Sequence, residues 1–328
     1  MRSHAVVLAV TASLLGAVPP PAGGSAHPIV RVPSVGQFGT TPDLSSAIVN
    51  GVSSGNTPPG EPYFARTAGA GSEPRNPELS FLGTSSEPFD VSMDPRRDAP
   101  YRYVYSKCSG TGSSATCLLF TQELGNQFFY PPLATDSVAG TRDRLPSTYG
   151  GATAFSRGRA GDRSAQLRYA AAIGAPSQPL PGGPRGTGAW GPLGIALRAR
   201  VVAYVWRWKA PSGYRTALRL QRLGTTTQTL VSLPAARGRV IGPTWQSRRL
   251  IFGIRRPSGA STWYRYDPAT HRYASAAGPH NLGSVAATRT FLYWQTATSR
   301  ALSSGRCSPP GCALYLGAPR FQTSPAPH

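Results

Sequence analysis

Short apolar runs rich in β-branched and aromatic residues recur along this chain, and they limit most strongly what it can fold into. The clearest are RVVAYVWRW (200–208), RTALRLQRL (215–223), RRLIFGIRR (248–256), STWYRYD (261–267) and TFLYWQT (290–296). Each has the length of a strand, and Gly, Pro or Ser residues separate it from the next. Helical periodicity is nearly absent. The chain is therefore predicted to be all-β and built from pairs of strands.

These strand pairs form an internal repeat. Six units of about 45 residues follow one scheme, with starts at Ser45, Phe89, Gly150, Gly194, Gly242 and Gly283. The last three starts lie 48 and 41 residues apart, and the first unit fits the scheme most weakly. A repeat of this length indicates that one supersecondary unit occurs several times and stacks on its neighbours.

A period in this range with about four strands per unit is typical of a β-propeller. Burial of both faces of each blade explains why VVAYVW and LIFGI are apolar at consecutive positions. We therefore predict a six-bladed β-propeller of four-stranded antiparallel blades over residues 41–320. Tandem β-sandwiches are the alternative. The similar size of the units and the lack of a clear linker favour the propeller.

The ends of the chain differ in composition from the repeats. Residues 1–26 contain a basic residue, an apolar run and the small residues Gly24-Ser25-Ala26, a pattern typical of a cleaved secretory signal peptide. Residues 27–40 are predicted to be a flexible segment and residues 321–328 a C-terminal tail. After cleavage no segment is apolar and long enough to span a membrane, so the protein is expected to be secreted.

Four cysteines in an exported chain favour disulfides. Cys108 and Cys117 bracket one turn-rich segment, and Cys307 and Cys312 bracket the segment SPPG. Local pairing is the simplest of the three possible connectivities. The spacings do not match those of zinc sites, and no His lies nearby. We predict two local disulfides and no metal.

Charge is distributed unevenly along the chain, which has a net charge of +21. Residues 1–162 carry 12 basic and 12 acidic groups, whereas residues 163–328 carry 22 basic groups and Asp267 as the single acid. This imbalance indicates an anionic partner. A solvated basic surface without a partner is the alternative.

Two common catalytic motifs are missing from the sequence. It contains no H-E-x-x-H pair and no P-loop. His271 and His280 lie in polar turns, where solvated side chains are expected. Asp90, Asp94 and Asp98 lack the alternation and the Gly of an EF-hand loop, so we predict a turn with local side-chain capping. The chain is not predicted to be an enzyme or to bind a cofactor.

The propeller hypothesis also predicts on which face of the molecule the basic residues lie. In a propeller the equivalent hairpin loops of every blade emerge on the same face, whichever strands of the blade they join, and the loops after the strong central strands are here called central loops. Five such central loops lie at residues 106–117, 156–164, 207–215, 255–261 and 298–312, and Asp162 is their single acid. The binding residues predicted from these loops are Arg157, Arg159, Arg207, Lys209, Arg215, Arg255, Arg256 and Arg306. Both cysteine pairs lie in the same loops, where a disulfide lowers the cost of ordering a loop on binding.

The segments PFDVSMDPRRDAPYRYVYSKC, CLLF and LPSTYGGATAFSRG resemble TolB-like β-propellers, and in particular secreted proteins with TolB-like blades from high-GC bacteria. The usual SPDG start of a blade in this family persists faintly in SMDPRRD and is lost in the other units. Members of the family chiefly act as docking or scaffolding modules. The resemblance therefore implies binding rather than catalysis.

We expect a secreted monomer that binds an anionic cell-envelope polymer or an acidic protein through a basic loop face. Nucleic acid is not expected, because the aromatic residues lie in strands where core packing accounts for them. The alternative is an extracellular hydrolase or lyase with its site at the central channel. A cluster of His271 or His280 with an acid at the channel mouth would favour that enzyme.

Overall fold

A computed structural model describes most of the repeat region. The described residues are 30–32, 39–40, 46–49, 63–66, 90–95, 102–109, 116–123, 133–159, 161–289, 291–304, 307 and 312–327. The predicted signal peptide lies outside them. Within them every regular element is a β-strand except one helix of 6 residues, so the predicted all-β class is confirmed.

The strands follow one another as six units whose internal pairs are antiparallel, preceded by β1 (Val30–Val32) and followed by β23 (Gln322–Ser324). A parallel pair between the second and third units, Cys117 with Arg142, joins these two units in one seven-stranded sheet. The first unit contains β2 (Gly39–Thr40), β3 (Ser46–Val49) and β4 (Tyr63–Arg66), and the second contains β5 (Val91–Met93), β6 (Arg102–Ser109) and β7 (Thr116–Glu123). The third contains β8 (Thr141–Tyr149), β9 (Ala152–Arg159), β10 (Ala165–Ala170) and β11 (Gln178–Pro179). The fourth contains β12 (Gly191–Arg198), β13 (Val201–Ala210), β14 (Gly213–Arg222) and β15 (Thr227–Pro234). The fifth contains β16 (Arg239–Gln246), β17 (Arg249–Arg255), β18 (Ser261–Asp267) and β19 (Arg272–Ala277). The sixth contains β20 (Leu282–Ala287), β21 (Leu292–Thr296), α1 (Ser299–Ser304) and β22 (Cys312–Gly317).

The first strands of the units form a closed circle. Each contacts the first strand of the next unit in the order β2, β5, β8, β12, β16 and β20, and β20 contacts β2. Thr40 Oγ1 donates a hydrogen bond of 2.8 Å to the carbonyl oxygen of Ala287 across this closure. Two sandwiches would not return the last unit to the first, so the β-propeller is confirmed. The number of six blades is our count of the units within the described residues.

Strands from both ends of the chain complete the outer edges of two units, which corrects two predicted boundaries. β1 pairs with β22, with Val30 opposite Leu314 and Val32 opposite Cys312, so part of the predicted flexible segment 27–40 is a strand. β23 pairs with β19, so part of the predicted tail 321–328 is one as well. An outer strand leaves backbone groups unpaired, and a terminal segment can satisfy them. The third unit also begins at Thr141 rather than at the predicted Gly150.

Side chains from both faces of each sheet fill the spaces between neighbouring units. In β13, Ala203 and Val205 pack toward the fifth unit, whereas Val202, Tyr204 and Trp206 pack toward the third. This alternation is the period of two along a strand, and it explains why the run VVAYVW is apolar throughout. Burial of a large apolar side chain contributes about 1.5–3 kcal/mol, so packing between units is a main source of stability.

Hydroxyl groups at one repeated position of the inner strands join neighbouring units. Ser92 Oγ accepts a hydrogen bond from the Thr148 amide (3.1 Å), Ser147 Oγ from the Leu197 amide (2.7 Å) and Thr244 Oγ1 from the Ala287 amide (3.1 Å). The fourth unit has Ala196 at this position, and its carbonyl oxygen accepts a bond of 3.1 Å from Trp245 Nε1. Because amides on the edge of an inner strand would otherwise be buried without partners, these bonds set the distance between units.

Candidate anion-binding face

The five predicted central loops emerge on one face of the propeller. They join β6 to β7, β9 to β10, β13 to β14, β17 to β18 and β21 to β22, which are the second and third strands of their units. Consecutive strands within a unit are antiparallel, so these loops and the links that lead into each inner strand lie on the same side. We call this side the loop face and the other side the opposite face.

Arg157 lies on the loop face, but its charge is already compensated. Its Nε lies 2.7 Å from Asp143 Oδ1, and its Nη1 lies 2.6 Å from Asp136 Oδ2. The side chain of Asp143 is fully buried. Burial alone would lower the pKa of Arg157, but the hydrogen bonds and charges of the two carboxylates outweigh burial and raise it. Arg157 therefore has a structural role, and we do not include it in the candidate site.

Asp136 is the centre of the same ion-pair network. Its carboxylate also accepts a bond of 3.0 Å from Arg168 Nη2, and it accepts bonds from the amide (2.9 Å) and the hydroxyl (2.8 Å) of Ser177. Burial would raise the pKa of Asp136, but the Ser177 bonds and the charge of Arg157 outweigh it and lower the pKa to about 2. The carboxylate is therefore ionised throughout the physiological range.

The other predicted binding residues differ in exposure. Arg159, Lys209 and Arg256 are exposed, and Arg215 is half-buried. Arg306 lies outside the described residues.

Arg207 and Arg255 lie close to a third arginine, Arg239, and together the three form what we call the arginine cluster. Arg239 is the direct cross-strand neighbour of Arg255. Burial, and then the charge of Arg239, lowers the pKa of Arg255 to about 10. The same two causes, in the same order, lower the pKa of Arg207, while Tyr214 acts in the opposite direction. The positive charge of Arg239 thus acts on both half-buried guanidinium groups, those of Arg207 and Arg255.

No carboxylate among the described residues forms an ion pair with this cluster. Arg207 Nε is buried without a hydrogen-bond partner, and its guanidinium lies over the ring of Tyr214 at 5.8 Å. Arg255 Nη1 donates a bond of 2.5 Å to the carbonyl oxygen of Leu282. An anion at this position would relieve the repulsion between the three cations and would accept their free N–H donors.

Arg239 was not among the residues predicted from the sequence. It is the first residue of the inner strand β16, where the link from the fourth unit ends, whereas the predicted residues all lie in central loops. The topology of a propeller provides a signal for such residues. Links that lead into inner strands emerge on the same face as the central loops, so their basic residues belong to the same surface.

A cavity of about 200 Å³ opens among the inner strands beside the cluster. Arg239 and Arg255 line it, and so do Asp90 and Leu302 of α1. Asp90 Oδ2 accepts a hydrogen bond of 3.1 Å from the amide of Leu145. The central loop of the sixth unit therefore reaches the central cavity, and a small anionic group could enter the cavity beside the two arginines.

Both predicted disulfides are confirmed. Cys108 pairs with Cys117, which lies directly opposite it on β6 and β7, and Cys307 pairs with Cys312. The first bond closes the base of a central loop, because its cysteines lie opposite each other on paired strands. The second bond closes the short segment between α1 and β22, within the central loop of the sixth unit.

Two acidic residues of the second unit bond to the third unit. Asp94 is buried and accepts a bond of 2.7 Å from the amide of Gly150, and Asp90 accepts one of 3.1 Å from the amide of Leu145. Asp98 lies outside the described residues. Asp90 and Asp94 flank β5, so both ends of this strand are joined to the third unit. The predicted local capping of the turn stays a prediction.

The two histidines of the domain lie away from the cavity. His271 Nδ1 lies 2.8 Å from the hydroxyl of Tyr266, and His280 Nε2 lies 3.0 Å from the carbonyl oxygen of Ser258. Both are exposed. Neither lines the central cavity, so the histidine–acid cluster that would favour an enzyme is not formed there.

No group of three or more His, Cys, Asp or Glu side chains in the described part of the chain could hold a metal ion. No helix there is long and apolar enough to cross a membrane.

No family model matches the chain, and no curated protein matches its sequence. Among solved structures, it is similar to the PQQ-bound form of an aldose sugar dehydrogenase from Streptomyces coelicolor, with 13% identity, 93% of this chain and 100% of that chain covered, and a TM-score of 0.45. A puromycin hydrolase shares 15% identity over 90% of this chain and 54% of that chain, with a TM-score of 0.48. A prolyl endopeptidase shares 11% identity over 79% and 37%, with a TM-score of 0.47.

Proposed function

We propose that this protein is a secreted, non-catalytic β-propeller that binds an anionic polymer through its loop face. The observation that carries the proposal is the arginine cluster of Arg207, Arg239 and Arg255, in which two half-buried cations lack a carboxylate partner within the described residues. Repulsion between these cations does not stabilise the free protein. A bound anion would be attracted strongly to them, because partly desolvated charges interact more strongly than exposed ones.

The surroundings of the cluster favour a polymer over an isolated small anion. One anionic group fits the cavity of about 200 Å³ beside Arg239 and Arg255. The exposed cations Lys209 and Arg256 extend the positive surface outward from the cluster. A chain with repeated charges could place one group at the cluster and further groups along these side chains. An envelope polymer has this property, and an acidic protein segment is the competing ligand that the experiment must distinguish.

The proposed location rests on two observations. The chain begins with a signal-peptide pattern over residues 1–26, and its four cysteines form two disulfides. Disulfides persist mainly in oxidising compartments outside the cytoplasm. The resemblance to TolB-like propellers, which chiefly act as docking modules, also supports binding. We further propose that the mature protein acts as a monomer, as expected from the sequence.

The test compares the mature protein with a face variant, Lys209→Ser/Arg239→Ser/Arg256→Ser, in which all three replaced side chains are exposed. The matched control, Arg163→Ser/Arg272→Ser/Arg320→Ser, removes the same charge from exposed positions outside the arginine cluster and the cavity beside it. Binding of fluorescently labelled linear polyphosphate is measured by anisotropy across a salt series. Labelled poly-glutamate serves as the acidic-polypeptide probe.

We expect the face variant to bind polyphosphate at least about tenfold more weakly than the native protein. The slope of log K against log salt concentration should become shallower by roughly one for each contact removed, as for phosphate contacts in DNA. The control should change far less. Equal losses in the two variants would show that net charge alone drives binding and would overturn the proposal. Preference for poly-glutamate would replace the polymer with an acidic protein as the partner.

A further inference from the structure

A second basic surface lies on the opposite face of the propeller. A groove of about 840 Å³ runs between the fourth and fifth units, where strands end in the turns that face away from the central loops. Its cationic side chains, which define what we call the basic groove, are Arg198, Arg222, Arg248, Arg249 and Arg289. None of these five belongs to the binding residues predicted from the sequence. The groove therefore goes beyond the proposed function of the loop face.

Acidic groups barely compensate this charge. Asp267 is the one carboxylate among the described residues that lines the groove, and its Oδ2 lies 3.8 Å from Arg249 Nε. Both side chains of this pair are partly exposed, so the pair contributes little to stability. Arg222, Arg248 and Arg289 are exposed, and none of them forms an ion pair within the described residues. Four guanidinium groups of the groove are thus left without an acidic partner.

The indole of Trp245 forms one wall of the groove and is held in place by a hydrogen bond. Trp245 Nε1 donates a hydrogen bond of 3.1 Å to the carbonyl oxygen of Ala196, which anchors the indole to the inner strand of the preceding unit. The guanidinium of Arg198 lies over this indole at 6.0 Å. A cation held on an aromatic face keeps its N–H donors directed to the side. One arginine of the groove is therefore positioned before any ligand arrives, which lowers the ordering cost of binding.

The basic groove and the arginine cluster lie at opposite ends of the same strand. β17 begins at Arg249, in the groove, and ends at Arg255, in the cluster. Six residue steps at about 3.3 Å each separate them by roughly 20 Å. That distance exceeds the Debye length of about 8 Å at physiological ionic strength, so the two surfaces attract anions independently.

We propose that the basic groove is a second binding site for a linear polyanion and that the protein bridges two polyanion chains, one on each face. The groove is much larger than a single oxyanion and has several separate cations, which fits an extended segment carrying repeated phosphate or carboxylate groups. A protein with one such site per face cross-links the polymer rather than merely coating it.

The test uses a groove variant, Arg222→Ser/Arg248→Ser/Arg289→Ser, beside the face variant and the matched control defined above. Each variant loses three exposed arginine or lysine side chains, so net charge is equal among them. Long-chain polyphosphate probes phosphate polymers and polygalacturonate probes carboxylate polymers. Light scattering of the mixture reports bridging, and anisotropy with a short labelled oligophosphate reports binding at single sites. Far-UV circular dichroism confirms that each variant is folded.

Mature protein and control should increase the scattering of at least one polymer, and that polymer identifies the anionic group. The groove variant should still bind the oligophosphate while scattering falls to the level of polymer alone. The face variant should retain binding through the groove, which separates this inference from the proposed function. Absence of scattering with native protein, unchanged scattering with the groove variant, or complete loss of binding in the face variant would each overturn the proposal.

Discussion

At the scale of single residues, the role of each arginine depends on which carboxylates lie within reach. Arg157 lies between Asp136 and Asp143 and completes an ion-pair network. Arg207 and Arg255 occupy similar half-buried positions on the same face, but the positive charge of Arg239 acts on both of them. One residue type in equivalent loops therefore stabilises the fold in the third unit and creates a candidate anion site in the fourth and fifth.

The pH dependence of stability should report the Asp136 network. The folded pKa of Asp136, about 2, lies below its ordinary value of 3.8. Its ionised form therefore stabilises the fold above pH 3.8, and that contribution is lost as the pH falls from there through about 2. In urea titrations we expect the unfolding midpoint to fall more steeply over this range in the native protein than in Asp136→Asn. Parallel profiles would contradict the assignment.

The repeated hydroxyl position gives a second prediction at this scale. Ser147→Ala leaves the buried amide of Leu197 without its acceptor, so we expect a loss of about 1–3 kcal/mol in the free energy of unfolding. Ser212→Ala, at an exposed turn position, is the control and should change stability very little. Urea unfolding followed by tryptophan fluorescence measures both. Similar values for the two variants would show that the bond between units is dispensable.

At the scale of elements, the terminal strand β1 was the least predictable part of the fold. It has 3 residues and pairs with β22, about 280 residues away in sequence. Three residues are too few to show the alternation of apolar and polar residues that predicts a strand. It forms because β22 would otherwise expose an unpaired edge. The paired cysteines are the opposite case, since each partner lies within the same hairpin or loop and sequence proximity alone was sufficient.

Replacing Val30–Val32 with Gly-Ser-Gly tests this closure at constant chain length. Glycine and serine disfavour strand pairing, so the edge of β22 should open and the last unit should loosen. We expect a lower thermal midpoint and faster proteolysis, both measured on the mature chain beginning at residue 27. The same replacement at residues 235–237, an exposed turn between two strands that also contains one arginine, is the comparison. An unchanged midpoint would show that ring stability does not depend on β1.

At the scale of the whole molecule, a net charge of +21 opposes compaction by mutual repulsion. Added salt screens this repulsion, so the thermal midpoint should rise between low salt and about 0.15 M, where the Debye length is about 8 Å. Phosphate should raise it further than chloride at equal ionic strength, because ligands that bind the native state stabilise it. Differential scanning fluorimetry measures both effects. Identical midpoints in the two salts would argue against anion sites.

The sequence by itself determined the long central strands, the repeat and the disulfides, because each depends on residues that are close in the chain. Alternation within a strand, turn residues between strands and cysteines across one loop are local features, and the apolar runs VVAYVW and LIFGI carry the further information that both faces are buried. The assignment of five central loops to one face also followed from the repeat.

Only the tertiary structure decided which charges are compensated and where the remaining ones gather. Arg157 reaches Asp136 through the folded third unit, Arg239 joins Arg255 across a strand pair, and Arg222 and Arg289 meet in one groove although they belong to the fourth and sixth units. Electrostatic interactions depend on distance in space and on burial, and neither quantity follows from position along the chain.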